Sequence, residues 1–267
     1  MSFHMRVDKQ QQKMALPFRI GVPAYIYSLD IMDNVHRLKD KVDNIELILP
    51  EANNTRNIPD RKMLRKLNEI SRACNLTYTI HLPLDIDLGS PDFAVRQSMI
   101  ENAKIFVEQL SCLKPRGYVL HLNLPERELD IELWRERINS SLQGMVAQMG
   151  DVSGVAVENL SYPFNYVDGL VSENKFSICV DIGHLICMGV DPLQHLKRYF
   201  SLVRIIHLHG VNNGKDHASL KYFDVALLKR ICCFLKENNY GGVVTMEIFS
   251  QPEFDESMSI LRGNLCI

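Results

Sequence analysis

The stretch FSICVDIGH, residues 176–184, shows the pattern that decides the fold of this 267-residue chain. A short apolar run leads directly into an aspartate and, three positions later, a histidine. The apolar run is typical of a buried strand, and ionisable groups at its end are costly to bury unless they are paired or bind a metal. The same combination recurs on both sides of this stretch.

Eight such apolar runs follow one another from about residue 17 onward. They are FRIGV (18–22), IELIL (45–49), YTIHL (78–82), YVLHL (118–122), VAVEN (155–159), FSICVDI (176–182), RIIHLHG (204–210) and VVTMEIF (243–249). Between them lie longer amphipathic segments with apolar side chains at three- and four-residue spacing. Eight strands alternating with helices over about 250 residues predict a single (β/α)8 TIM barrel of the α/β class.

No feature of the sequence divides the barrel into two domains. We expect residues 17–267 to form one catalytic domain, preceded by an N-terminal extension at residues 1–16. No G-x-G-x-x-G follows the first strand and no P-loop occurs, which removes the main support for a nucleotide-binding fold. Trp134 lies on the apolar stripe of a helix-like segment and is expected to be a buried anchor.

The composition is that of an ordinary globular protein. Hydrophobic residues make up 46% and charged residues 23% of the chain, and the formal net charge is −2. These values exclude a disordered or collagenous chain and give no support to a mainly electrostatic nucleic-acid binder. The seven cysteines form no C-x-x-C pair, so free thiols are expected. With no secretory signal and no membrane span in the sequence, we expect a cytoplasmic protein without a membrane partner.

Ionisable side chains end six successive strands of the predicted barrel. In barrels of this kind the C-terminal ends of the strands form the active site. With the loop after the seventh strand, the candidates are His81, His121, Glu158, Asp181, His184, His207, His209, Asp216, His217 and Glu247. Imidazole and carboxylate are the ligands of zinc, manganese or iron, so their convergence predicts a catalytic metal centre.

The number of candidate ligands indicates how many ions this centre holds. A mononuclear site needs about three or four protein ligands, fewer than the chain offers. We expect two or three zinc ions, with manganese as the alternative metal and Glu158 as a bridge. Several cations together suit a displacement at phosphorus, so phosphodiester hydrolysis is the leading expectation. In this hypothesis an activated water near Glu158 attacks phosphorus, and His209 or Asp216 positions the substrate or carries a proton.

Seven motifs together resemble a known family of barrels. They are IHLPLD, VLHLN, VENL, VDIGHL, IHLHGV, KDHASL and GGVVTMEIF. They resemble the xylose isomerase-like superfamily and, within it, the endonuclease IV (AP endonuclease family 2) branch. The ligand sets that this resemblance implies are His81, His121 and Glu158 for one zinc, Glu158, Asp181, His207 and Glu247 for a second, and His184 and His217 for a third.

One position departs from the pattern of that branch. The branch places a carboxylate two residues before the loop histidine, where this chain has Lys215, with Asp216 next to it. The third ion therefore depends on whether Asp216 turns inward as a replacement ligand or stays a solvated loop residue. Whether His209 binds metal or substrate also stays open.

Two other function classes compete with hydrolysis of a small phosphodiester: a single-metal sugar isomerase or epimerase, and a binding protein that keeps the barrel and the metal without turnover. Sugar isomerases and epimerases of the superfamily use one metal, for which the candidate ligands are Glu158, Asp181, His207 and Glu247. The additional histidines favour several ions.

HLHGVNNGKDHASL, residues 207–220, resembles the cobamide-remodelling phosphodiesterases, which implies a substrate such as a corrinoid. DNA is less favoured, because the loops at residues 23–33 and 50–57 supply Arg56 as their one basic residue.

Three further residues are candidate substrate contacts. Glu46 lies in the second strand, whereas Asn123 and Asn159 each follow a proposed ligand by one or two positions. Glu51 is expected to be a solvated loop residue. His195 lies on a helix-like segment and is expected at the surface. The sequence leaves the oligomeric state open.

Overall fold

The computed structural model describes residues 16–49, 51–54, 58–125, 128 and 130–265. The expected extension at residues 1–16 lies outside the described residues except for Leu16, and Arg56 lies outside them as well. The boundary between extension and catalytic domain therefore stays a prediction.

Eight parallel strands close into a barrel, which confirms the predicted (β/α)8 fold. The barrel strands are β1 Arg19–Pro23, β2 Asn44–Ile48, β3 Thr77–His81, β4 Tyr118–Leu120, β5 Val155–Glu158, β6 Ser177–Asp181, β7 Val203–Leu208 and β10 Val243–Met246. Their order around the barrel is β1-β10-β7-β6-β5-β4-β3-β2. Each strand overlaps one of the eight apolar runs.

Helices cover the outside of the barrel and connect its strands. Those in the described part of the chain are α1 Ile31–Leu38, α2 Arg61–Cys74, α3 Phe93–Leu110, α4 Ile131–Met149, α5 Asp168–Glu173, α6 Ile182–Cys187, α7 Pro192–Tyr199, α8 Val225–Glu237 and α9 Gln251–Asn264. Two of them, α6 and α7, lie between β6 and β7. None of the described helices combines the length and apolarity needed to cross a bilayer.

Aspartates begin most of these helices. In α1, α2, α3, α4, α7 and α8 a carboxylate accepts a hydrogen bond from a first-turn N–H that has no partner within the helix. The capping residues are Asp30, Asp60, Asp92, Asp130, Asp191 and Asp224. Because the helices of a (β/α)8 barrel run opposite to its strands, these aspartates surround the C-terminal mouth.

Apolar side chains fill the space between the barrel and its helices. Trp134 of α4 is fully buried there, as predicted, and its Nε1–H donates to the Asn123 carbonyl at 3.1 Å. Gly89 leaves room for the indole, because a Cβ at this position would lie 2.4 Å from Nε1. A separate apolar cluster lies inside the barrel and consists of Val119, Ala156, Cys179 and Ile205.

The segment after β7 forms a hairpin where the sequence analysis expected a loop. Its strands are β8 Gly210–Asn212 and β9 Lys215–Ala218, and Asn212 pairs with Lys215. Asn213 and Gly214 have φ values of 52° and 78° between them. Two successive positive φ values are typical of a type I′ turn, which favours Asn-Gly. The hairpin places Asp216 and His217 beside α6.

Candidate metal centre

Two layers of side chains lie one above the other on β4 to β7. The apolar cluster inside the barrel is the lower layer. Side chains on a strand alternate between faces, so a residue two positions later points to the same side. The resulting pairs are Val119 with His121, Ala156 with Glu158, Cys179 with Asp181, and Ile205 with His207. The apolar layer thus supports a layer of candidate ligands at the mouth.

Three other strands repeat this spacing with polar residues in the lower layer. The pairs are Asn44 with Glu46, Thr79 with His81, and Thr245 with Glu247, all buried. The amide of Asn44 donates to Thr79 Oγ1 at 2.9 Å, and Thr79 Oγ1 donates to Glu46 Oε2 at 3.0 Å. This network satisfies polar groups that burial without partners would make costly.

The first group of candidate ligands is His81, His121 and Glu158. Oε2 of Glu158 lies 2.8 Å from Nε2 of His121 and 3.4 Å from Nε2 of His81. Nδ1 of His81 lies 2.8 Å from the Leu82 carbonyl, so an Nδ1–H donated there leaves Nε2 free for a metal.

The second group shares Glu158 with the first. Its members are Glu158, Asp181, His207 and Glu247. From Nδ1 of His207, the distance is 3.2 Å to Glu158 Oε1 and 3.3 Å to Glu247 Oε2. Asp181 Oδ2 lies 3.8 Å from the same nitrogen. One buried imidazole nitrogen therefore faces three carboxylates.

The third group consists of three imidazoles, those of His184, His209 and His217. Their ligand atoms lie within 4.8 Å of one another. Asp216 remains at the edge, with Oδ2 3.8 Å from His184 Nε2 and 3.9 Å from His217 Nε2. Its side chain is 43% exposed, and Lys215 points to solvent. The structure thus groups His209, rather than Asp216, with His184 and His217.

A glycine creates the space that His209 occupies. A Cβ at Gly183 would lie 1.9 Å from Cε1 of His209, so a side chain at Gly183 cannot coexist with this ring position. Nε2 of His209 lies 3.1 Å from Asp181 Oδ1, and the backbone N–H of His217 donates to its Nδ1 at 2.9 Å. His217 has a φ of 51°, a conformation that non-glycine residues adopt mainly where the surroundings require it.

The buried groups shift one another's pKa values. Burial opposes ionisation of Glu158, but the His207 imidazole holds the pKa of that carboxyl well below its ordinary value. Burial acts in the same direction on Glu247, yet His207 lowers its pKa to about 2. At His209 burial lowers the pKa, and Asp181 more than offsets this, raising it to about 9. The centre thus holds ionised carboxylates, the form that binds cations.

The donor set fits divalent cations of the zinc type. Imidazole nitrogens and carboxylate oxygens converge in the first and second groups, and imidazole nitrogens alone in the third. Sites of this composition suit zinc, with manganese favoured where carboxylates dominate. Two buried carboxylate oxygens, Glu46 Oε1 and Glu247 Oε2, accept no hydrogen bond. Oε2 of Glu247 lies 3.3 Å from His207 Nδ1 and 3.5 Å from His217 Nδ1 without a well-formed hydrogen bond, so a cation beside it would supply a partner.

The candidate substrate contacts have protein partners of their own. Nδ2 of Asn159 donates to the Asp181 carbonyl at 2.9 Å, and its Oδ1 accepts from the Asp181 N–H at 2.8 Å. Asn123 Nδ2 donates to the Leu84 carbonyl at 2.8 Å. Glu46 is fully buried, whereas Glu51 is exposed as expected. Substrate contact by Glu46, Asn123 or Asn159 stays a prediction.

Sequence reasoning missed two features around the centre. Oε2 of Glu46 lies 3.4 Å from Nε2 of His207, a contact between β2 and β7 that no local pattern indicates. His195 was expected at the surface but is buried in α7 between Phe164 and Tyr199, with ring centroids at 5.5 Å and 4.7 Å. The apolar neighbours of His195 at positions 192, 193 and 196 were the available signal for its burial.

Solved structures with the same fold include enzymes of different activities. A D-tagatose 3-epimerase-like protein superposes with a TM-score of 0.75 at 20% identity, over 92% of this chain and 97% of that one. Endonuclease IV from Thermus thermophilus gives a TM-score of 0.74 at 18% identity, over 92% and 98%. The 3-keto-D-glucoside 4-epimerase YcjR from E. coli gives 0.67 at 18% identity, over 92% and 98%. At these identities the likeness shows the fold alone.

Sequence comparison identifies the family. No curated protein is a significant sequence match to this chain. A family model, described as the xylose isomerase-like TIM barrel, matches residues 38–263. Since this match covers most of the closed barrel and the strand ends that carry the candidate ligands, the chain belongs to the xylose isomerase-like TIM barrel family.

Proposed function

We propose that the protein is a metal-dependent hydrolase of a small phosphodiester, with two or three zinc ions at the mouth of the barrel. The observation that carries this proposal is the sharing of Glu158 between two groups of candidate ligands, beside a third group of imidazoles. A single-metal enzyme needs only one of these groups. When bound, clustered cations polarise a water and neutralise the charge on the phosphate oxygens.

The protein residues have separable roles in this proposal. Glu158, held between His121 and His207, fixes the spacing of the first and second sites. His209 is fully buried, which favours a ligand role at the third site over substrate contact. Asp216 is half-exposed at the edge of that site and would pass a proton between substrate and solvent.

The resemblance in sequence motifs supports a corrinoid with its nucleotide-loop phosphodiester as the substrate. The same displacement at phosphorus serves any diester. The choice of substrate therefore depends on which diesters fit the mouth of the barrel. A DNA duplex would need basic and aromatic loops to hold and bend it.

A second candidate function is a single-metal sugar isomerase or epimerase. The group formed by Glu158, Asp181, His207 and Glu247 is complete without any other histidine, and this observation supports the alternative. Under this alternative the histidines of the first and third groups would contact substrate hydroxyls.

Metal content and activity together separate the two functions. Protein purified without chelator is analysed for metal and assayed with bis-p-nitrophenyl phosphate and with free ketoses. We expect two or three zinc ions per chain and release of p-nitrophenolate that chelator abolishes. One ion per chain with epimerisation and no phosphodiesterase activity would favour the alternative. His121→Ala should lose hydrolysis and keep its fold by circular dichroism, whereas His36→Ala, at an exposed position, should keep both.

A further inference from the structure

Large apolar side chains are exposed at one end of the barrel. In the described part of the chain they are Tyr25, Leu29, Leu84, Phe93, Leu133, Val190, Tyr222, Val225 and Phe249. Except for Val190, which lies between α6 and α7, each lies in a segment that leads from a strand to the next helix, or in the first turn of that helix. Such segments form the mouth of the barrel, so the exposed apolar surface lies on the face that holds the candidate metal centre.

Three of these side chains lie within three positions of a strand end, and we call them the apolar arc: Tyr25, Leu84 and Phe249. They come after β1, β3 and β10, on one side of the barrel, where the strand order is β10-β1-β2-β3. The Phe249 ring is 43% exposed and meets His217 edge-on, with centroids 5.4 Å apart. The Tyr25 hydroxyl donates to the Ile48 carbonyl at 3.2 Å, and the residue is 37% exposed.

The arc differs from the exposed rings further out. Arg96 lies over the ring of Phe93 at 5.5 Å, and Lys221 lies over the ring of Tyr222 at 5.0 Å. These outer rings therefore already have a cationic partner. Among the described residues no cation is placed over Tyr25 or Phe249 in this way, so their faces are available to a ligand.

The charges around the mouth are mostly negative. Besides the helix-capping aspartates, the described strand-to-helix segments hold Glu51, Asp85, Asp87, Glu128 and Asp216. Their basic residues, among those described, are Lys215 and Lys221, and Lys221 is paired with Glu256 at 3.3 Å. These described segments therefore offer few cationic side chains that could hold the phosphates of a DNA duplex.

A free sugar does not match the arc either. Sugar hydroxyls need hydrogen-bond partners, and the arc offers an aromatic ring, a leucine side chain and a tyrosine whose hydroxyl donor is already used. What fits is an uncharged apolar group attached to the reacting phosphate. Removing such a group from water is favourable by about 25 cal/mol per Å².

We propose that the apolar arc binds an uncharged aromatic or alicyclic arm of the phosphodiester, and thereby selects small diesters with one bulky apolar substituent. This inference rests on the proposed phosphodiesterase function. In the reaction, the oxygen of water bonds to phosphorus, the P–O bond to the departing group breaks, and the departing oxygen takes a proton. The arm in the arc stays on the phosphate or leaves with its oxygen, and no further reactant is needed.

A series of esters with one leaving group tests the inference. Methyl, phenyl and 1-naphthyl p-nitrophenyl phosphates release the same p-nitrophenolate and differ in the other arm, and each rate is divided by that of alkaline hydrolysis. If the naphthyl arm buries about 60 Å² more apolar surface than methyl, kcat/KM should rise by about tenfold. A ratio near one would overturn the proposal, and so would cleavage of an abasic-site duplex in preference to these esters.

Variants locate the preference within the mouth. Phe249→Ser and Tyr25→Ser should bring the naphthyl-to-methyl ratio close to one through KM, with the zinc content unchanged. Phe93→Ser, at a more exposed ring outside the arc, should keep the ratio of the wild type. A ratio that survives in Phe249→Ser and Tyr25→Ser would assign the preference elsewhere and overturn the proposal.

A binding measurement separates failure of this inference from failure of the proposed function. If no ester is hydrolysed, the phosphodiesterase proposal fails, but binding of bis(1-naphthyl) phosphate can still be followed by its fluorescence. Binding about tenfold tighter than that of dimethyl phosphate, and lost in Phe249→Ser, would support the arc. Sedimentation of the wild type as a dimer that Phe249→Ser dissociates would show instead that a second copy covers the arc.

Discussion

Oε2 of Glu46 lies 3.4 Å from Nε2 of His207, inside the barrel and out of reach of solvent. The other ring nitrogen of His207 faces Glu158 and Glu247. An Nε2–H donated to Glu46 leaves Nδ1 unprotonated toward the second ligand group. Carboxylates that hold metal-binding imidazoles in this way fix both the tautomer and the orientation of the ring.

Glu46→Gln should weaken metal binding without unfolding the barrel. The amide keeps the shape of the side chain and weakens the hydrogen bond to Nε2, so we expect a loss of about tenfold or more in zinc affinity. Competition with a chromophoric chelator measures this loss. Glu51→Gln, at an exposed position after the same strand, is the matched control. Equal zinc retention in Glu46→Gln and wild type would contradict the positioning role of Glu46.

Gly183→Ala should remove an ion from the third group of ligands. Its Cβ would lie 1.9 Å from the His209 ring, which cannot bend away as a flexible chain end could. We expect the zinc content to fall by about one per chain, with the first and second sites retained. Gly169→Ala, where a Cβ meets nothing within 4 Å, should keep the zinc content of the wild type. Full zinc content in Gly183→Ala would argue against His209 as a ligand.

His195 should make the protein less stable in mild acid. Burial, assisted by Arg198, lowers the pKa of His195 to about 4, whereas in the unfolded chain it is about 6.5. Between these values the unfolded state binds more protons, so the free energy of unfolding falls as pH drops from about 6.5 to about 4. We expect a loss on the order of 1 to 2 kcal/mol from this group.

Urea unfolding at pH 7 and pH 4.5 measures the contribution of His195. His195→Asn removes the titrating ring, so the difference in unfolding free energy between the two pH values should shrink relative to wild type. The matched control is His36→Asn, because His36 is exposed. A difference that is unchanged in His195→Asn would assign the acid sensitivity to other groups.

Gly214→Ala should loosen the hairpin that carries His217. Gly214 has a φ of 78°, a conformation in which alanine costs about 1 kcal/mol relative to glycine. We expect faster amide hydrogen exchange across β8 and β9, with exchange in the barrel strands unchanged. Gly150→Ala, at a φ of 76° after α4, should also lower stability but leave the hairpin amides protected.

The barrel and most of the candidate site were predictable because each depends on local spacing. A strand of two to four apolar residues followed by His or Asp can be read directly from the sequence, and barrel closure brings those ends together. The contact between Glu46 and His207 could not be read in this way, since it joins residues 161 positions apart. The burial of His195 depends likewise on Phe164, which belongs to a different connection. The hairpin, in contrast, had a local signal in Asn213 and Gly214.

The side chain of Asn159 hydrogen-bonds to both the N–H and the carbonyl of Asp181, as the backbone of a neighbouring strand would. These bonds hold the ends of β5 and β6 together beyond their last paired residues, Glu158 and Cys179. Glu158 and Asp181 then keep a separation that the polypeptide sets by itself, whatever the surrounding solution contains. An incoming ion would meet these two carboxylates at a fixed spacing, with little reorganisation left to oppose its capture.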